Sequence, residues 1–178
     1  MLLASVAFAA ELAAGDIVFH RSHSRQSEAI ARATHSELTH VGVVLPHDGR
    51  LMVLEAVEPV GWAELKEWTA RGEGTKSRRL PGLSEATVVK LARLGNGWVG
   101  RHYDAAFGWS DDRLYCSELV YKLFDRAAGV KIGAPHRLGD FDLTDALVAA
   151  TLRERYGANV PLDEPVISPA DLYAALRE

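Results

Sequence analysis

Cys116 is the only cysteine in the chain. A single thiol can form neither an internal disulfide nor a multi-thiolate zinc site. It is either a small buried hydrophobe or a nucleophile. Just beyond it, Leu119, Val120, Leu123, Phe124 and Ala127 recur at helical spacing, and Gly129 follows as a terminator. Cys116 thus falls at the start of a helix over residues 117–128. Free N–H groups and the positive end of the helix dipole favour a thiolate there. The same first-turn amides, those of Cys116 and Ser117, can face a developing oxyanion. The chemistry such a thiol suits is acyl transfer through a thioester, and that requires a base with a group to orient it.

A hairpin supplies both. His40 to Leu45 is a β-branched run, Pro46-His47-Asp48-Gly49 is a turn signal, and Leu51 to Val57 returns. With the turn centred on Asp48-Gly49, Gly42 faces Glu55. His40 and Glu55 then project from one sheet face as diagonal neighbours, roughly 5 to 8 Å apart at Cβ. Glu55 interrupts an otherwise apolar strand, and an acid there is costly unless paired or functional. Cys116, His40 and Glu55 are the candidate nucleophile, base and orienter.

Other elements must position these three. Gly15 to Phe19 reads as a turn feeding a strand, and Ala29, Ile30 and Ala33 suggest a short helix within residues 24–36. Residues 62–70 fit a helix and residues 71–76 a polar loop. Ser84 is expected to cap a helix ending at Gly95, Thr144 one reaching Tyr156, and Ser168-Pro169 the last. Strands come early and helices late, which suggests an α+β fold. His20 and His23 lie three apart in a polar stretch, His35 in a loop or at a helix end, His47 in the turn, and His102 and His136 in loops. A zinc site of His20, His23 and Cys116 can be drawn, but no tight ligand motif supports it. No metal or cofactor is therefore expected. Phosphate-cradling glycine loops and a serine-hydrolase elbow are missing from the sequence as well.

The 178 residues make one domain with room for a core; 48% are hydrophobic, and the net charge of −4 argues against a nucleic-acid partner. No apolar run is long enough for a transmembrane anchor. Residues 1–10 are apolar, and Ala7-Phe8-Ala9 resembles a signal-peptidase site without the usual basic start. They are read as a signal-peptide remnant ahead of a domain over residues 11–178, which makes the protein exported (periplasmic or secreted) and otherwise cytoplasmic.

Several of these segments together resemble a known group. Gly15-Asp16-Ile17-Val18-Phe19, Thr39-His40-Val41-Gly42-Val43-Val44, Val53-Leu54-Glu55-Ala56, Tyr103-Asp104 and Tyr115-Cys116-Ser117-Glu118-Leu119-Val120 are similar to the YiiX/YebB-like permuted papain-fold enzymes. These are allied to NlpC-type cell-wall peptidases and lecithin:retinol acyltransferase-like proteins. The resemblance implies a circular permutation, with His40 and Glu55 ahead of Cys116. It also implies a small antiparallel, partly barrel-like sheet packed on the cysteine helix. Tyr103 matches a tyrosine near the oxyanion site, and Ser117 falls beside it among the oxyanion or substrate contacts. The implied activity is hydrolysis of an amide, in a peptide and possibly in peptidoglycan. The alternatives are a lipid amidase or acyltransferase with the same triad, or a lipid- or ligand-binding module without turnover. Trp62, Trp68, Trp98 and Trp109 are candidate walls of an acyl pocket. Arg71, Lys76, Arg78 and Arg79 are either an anion site or a solvated surface.

Overall fold

The chain alternates β-branched runs with amphipathic stretches, and the computed structural model, which describes residues 12–176, turns these into one antiparallel sheet backed by helices. In chain order the elements begin with β1 (Asp16–Ser22), α1 (Arg25–Thr34), β2 (His40–His47), β3 (Arg50–Glu55), β4 (Gly61–Glu64), α2 (Leu65–Ala70) and β5 (Gly72–Arg79). There follow α3 (Glu85–Asn96), β6 (His102–Tyr103), β7 (Arg113–Leu114), α4 (Cys116–Ala128), β8 (His136–Arg137), α5 (Ala146–Tyr156), β9 (Pro165–Val166) and α6 (Pro169–Ala175). The main sheet has the order β4-β3-β2-β1-β5 and is open, with β4 and β5 at its edges. The signal-like residues 1–10 lie outside the described region. Among the described residues no helix is long and apolar enough to cross a membrane.

The hairpin has the expected register, Gly42 opposite Glu55 and His47 opposite Arg50. Alternation along the strands sorts their side chains onto two faces. Ile17, Phe19, Val41, Val43, Leu45 and Leu54 join the main core with α3 and α4. Val18, Val44 and Val53 face the other way, onto Trp68. By the same alternation His20, His40 and Glu55 belong to the Trp68 face. Gly42 lies between His40 and Val44 on that face. A Cβ there would come within 2.5 Å of Val53 Cγ1 and 3.0 Å of the Leu54 carbonyl, so the strand crossing beside Glu55 accepts only glycine.

Four expectations need correction. Residues 71–76 are not a loop: Gly72–Arg79 pairs with β1 as an edge strand. Its charged sequence hides the strand because the backbone pairing, rather than an apolar face, holds it. Residues 61–64 pair with β3, so the helix begins only at Leu65. Gly95 lies buried inside α3 instead of ending it, because a Cβ there would come 2.2 Å from Leu54 Cδ2. Asp145, one residue beyond Thr144, caps α5 by accepting the Leu147 N–H at 2.8 Å.

The helix that carries the thiol is anchored by an ion pair within its first two turns. Glu118, fully buried, accepts the Tyr115 N–H at 3.2 Å and the Lys122 ammonium at 2.6 Å. Lys122 also donates to the carbonyls of Trp109 and Ser110 and to Asp111, which ties the irregular segment before β7 onto α4. Burial pushes the Glu118 carboxyl up to about 7, with Lys122 opposing the rise. Removing one partner leaves the other's charge buried and alone. Lys122→Met is therefore expected to cost about 3–5 kcal/mol of stability, and Glu118→Leu/Lys122→Met to recover much of that loss. Urea unfolding midpoints for the two variants test this.

Candidate active site

Cys116 is the first residue of α4 and only 2% exposed. The helix starts there because Tyr115 is extended (φ −99°, ψ 167°), leaving the first-turn N–H groups without intrahelical partners. His40 opens β2 at the end of the sheet. Its Nε2 lies 2.7 Å from Glu55 Oε2, which leaves Nδ1 as the nitrogen for the thiol. Cys116 is near enough to act on the ring. Burial opposes charge on His40, but the thiol and then Glu55 outweigh it and raise the pKa to about 9. The imidazole is thus charged at neutral pH. Thiol and ring approach from opposite faces of the sheet and meet where β2 begins.

Glu55 is itself 2% exposed. Besides His40, it accepts the Trp68 indole N–H at 3.0 Å and an ion pair from Arg71. Burial alone would neutralise it, yet His40 and Arg71 hold its pKa below the usual carboxylate value. Trp68 and Arg71 were not recognised in the sequence as site residues. In the sequence Trp68 reads as an acyl-pocket wall and Arg71 as part of an anion site or a solvated surface. The acyl-wall suggestion for Trp68 fails, whereas Arg71 and Arg79 lie on the exposed surface expected of them, with side chains 46% and 55% exposed, and are ion-paired besides. Arg71 pairs with Glu55 and Arg79 with Asp16, and Trp68 is buried behind the sheet. Trp62 stacks on His47 at 4.3 Å, and Trp98 and Trp109 pack in and against the main core.

His20, set aside in the sequence, is directly opposed to His40 across β1 and β2. Its ring stacks on Trp68 at 4.0 Å and on His40 at 5.2 Å. The pairing of β1 with β5 shifts register at this residue. Gly72 lies so close that a Cβ would meet His20 Cγ at 2.4 Å. Burial, reinforced by the His40 charge, lowers its pKa to about 3, so it stays neutral. His23 is exposed and faces Glu73 at 3.6 Å. Among the described residues no group of three or more His, Cys, Asp or Glu is arranged to hold a metal ion.

Tyr103 reaches the site from β6, its hydroxyl 2.5 Å from Gln26 Nε2. Burial, and then the charge of Cys116, keep its pKa well above the ordinary value, so it carries its proton. Ser117 is arranged differently from the expectation that it contacts substrate. Its hydroxyl donates to the Ile167 carbonyl at 2.7 Å, and only its backbone amide is left for an oxyanion. Two hollows flank the centre. A polar cleft includes His20, Gln26, His40, Glu58, Arg71 and Tyr103. An apolar cavity includes Cys116, Phe107, Leu138, Phe141, Leu152 and Ile167. Gln26 and Ile30 of α1 line both.

The arrangement is a buried thiol at a helix start, an imidazole charged beside it, and a carboxylate fixing the imidazole. It can carry nucleophilic acyl transfer. Comparison with known proteins agrees with the architecture. The chain is 45% identical over 178 residues to protein YiiX of Escherichia coli K12, covering 98% of this chain and 88% of that protein. A crystal structure described as the metalloprotein YiiX of Escherichia coli O157:H7 superposes with a TM-score of 0.86. The match has 45% identity and covers 90% of this chain and 91% of that one. The sequence model of the permuted papain-like amidases, the YaeF/YiiX or C92 family, matches residues 11–175. The permuted papain-like fold of that description agrees with the mixed sheet and helices described above, and the chain belongs to this family of permuted papain-like amidases.

Proposed function

We propose that the protein hydrolyses amides with an apolar acyl part, using Cys116 as nucleophile, His40 as acid and base, and Glu55 as orienter. The observation that carries the reading is His40 itself, held by Glu55 on one nitrogen and raised to about 9 by the thiol and carboxylate around it. In the proposed reaction the Cys116 thiolate adds to the amide carbonyl, an S–C bond forms, and the carbonyl π pair moves to oxygen. The Cys116 N–H and the Tyr103 hydroxyl hold that oxyanion. As the oxygen pair returns, the C–N bond breaks and the amine leaves with the proton from His40 Nδ1. His40, now neutral, takes a proton from water. The resulting hydroxide attacks the thioester, releasing the acid and the thiolate while the ring recovers its charge.

The apolar cavity beside Cys116 favours an acyl chain on the carbonyl side, and the polar cleft at His40 suits the amine side. A peptidoglycan peptide, favoured in the sequence by the exported setting, offers no comparable apolar group. It is the competing substrate in the experiment. The description of the relative as a metalloprotein raises a metal at this centre. The side chains here do not fit one. Glu55 is occupied by His40, Trp68 and Arg71, and His40 Nε2 is turned to Glu55.

Cys116→Ala is expected to abolish release of amine from an octanoyl amide, and His40→Ala to lower the rate by about 10²–10⁴-fold. Glu55→Gln should leave a reduced rate. Full activity in Cys116→Ala would overturn the nucleophile, and faster cleavage of muropeptides than of octanoyl amides would overturn the acyl preference. The pH profile is a separate measure. Below about 9 the ring is charged and supplies the leaving-group proton; above it that proton is lost. Amide turnover should therefore fall with an alkaline midpoint near 9. Because Glu55 helps raise that value, Glu55→Gln should move the midpoint to lower pH. Iodoacetamide should alkylate Cys116 rapidly at acidic pH, by intact mass.

A further inference from the structure

Tyr103, Gln26 and Arg155 come from three elements, β6, α1 and α5, and are joined in one line. The Arg155 guanidinium donates to Gln26 Oε1 at 3.0 Å, and Gln26 Nε2 donates to the Tyr103 hydroxyl at 2.5 Å. Chemistry fixes this order. A guanidinium has only donors, so the amide oxygen must face Arg155 and the amide NH₂ must face the tyrosine. The Tyr103 oxygen is then an acceptor toward Gln26, and its own proton has to be given elsewhere. Arg155 is held in turn, half-buried with its guanidinium 5.0 Å from the centre of the Phe107 ring. The line ends beside the thiol, since Gln26 and Arg155 share the lining of the cavity that includes Cys116, and Gln26 and Tyr103 that of the cleft at His40.

We infer that Gln26, held by Arg155, is a positioning residue that aims the Tyr103 hydroxyl proton at the oxygen of the reacting carbonyl. The inference rests on the reading of Cys116 as nucleophile and Tyr103 as oxyanion donor. Tyr103 is fit for that role because burial and the nearby sulfur keep it protonated. An apolar residue in place of Gln26 would leave the hydroxyl free to rotate. A glutamate would do more. Its carboxylate, of the same shape and still paired with Arg155, would accept the tyrosine proton and turn a lone pair toward the oxyanion instead.

Octanal and iodoacetamide separate this role from a structural one. The thiolate adds to octanal to form an S–C bond, and the π pair moves to an oxygen that needs a donor. Iodoacetamide alkylates the same sulfur by displacing iodide and forms no oxyanion. Gln26→Glu and Tyr103→Phe are each expected to weaken octanal binding by about tenfold to a hundredfold, a loss well beyond any change in alkylation rate. Gln26→Glu/Tyr103→Phe should be no weaker than Tyr103→Phe alone, since both act through one hydroxyl. Arg155→Met, which frees the amide to flip, should give a smaller loss of the same kind. Wild-type octanal affinity in Gln26→Glu beside a weakened Tyr103→Phe, or losses that add in the double variant, would overturn the relay and leave the tyrosine's role standing. Unchanged affinity in Tyr103→Phe would remove that role and the relay together. Absence of any octanal adduct in the unaltered protein would take the nucleophile down with both.

Discussion

A carboxylate taken out of water is tolerated only when its charge is answered, and Glu55 is answered three times. His40 comes from the neighbouring strand, Trp68 from α2, and Arg71 from the residue that ends α2. The three donors do different work. His40 first and then the Arg71 guanidinium keep the acid ionised, the indole N–H fills a remaining lone pair, and the ionised acid in turn keeps the imidazole charged and its ring turned. Without Arg71 less would oppose the rise that burial imposes on Glu55, and His40 would lean on a weaker partner against its own desolvation. The electrostatics of Cys116 are therefore set on the far side of the sheet from its helix. The short α2, whose Trp68 packs in the smaller cluster on the other face of the sheet, belongs to the site through this chain of hydrogen bonds.

The sheet makes that arrangement possible by bringing two faces to one edge. His20, His40 and Glu55 lie in consecutive strands on the Trp68 face, whereas α4 packs on the opposite face against β2. His40 is the first residue of its strand, so its ring can reach past the end of the sheet to meet sulfur. His20 extends the row by one strand. It is buried with Nδ1 lacking a hydrogen-bond partner, which costs about 1–3 kcal/mol relative to a satisfied group. The register shift in β1 and the bare backbone of Gly72 accommodate its ring. Burial, reinforced by the charge on His40, keeps it neutral, and its ring stacks on Trp68.

Local rules read from the sequence were enough for the parts of the site that are close in the chain. The turn at Asp48-Gly49 fixed the hairpin register, and with it the pairing of His40 with Glu55. The apolar stripe beyond Cys116 located the helix start. What escaped were the residues whose meaning depends on distant partners. Trp68 looks like any core aromatic, and its N–H acquires a purpose only when α2 folds under β3. Arg71 stood at the head of a charged stretch that reads as solvent-facing, because β5 is an edge strand whose pairing partner, β1, lies some fifty residues earlier. Gly95 looked like a terminator because close helix–sheet approach leaves the same letter in the sequence as a helix end. Ser117 next to a candidate nucleophile invites a role in the cleft, yet its hydroxyl is committed to the C-terminal segment through Ile167.

α1 stands between the two hollows, with Gln26 and Ile30 presenting a surface to each. It is a party wall. A substitution there that widens the room for the acyl side also redraws the boundary for the amine side, so this fold cannot tune the two halves of its substrate independently along α1. Diversification of one preference without the other has to come from walls that belong to a single hollow, such as Phe141 and Leu152 on one side or Glu58 on the other.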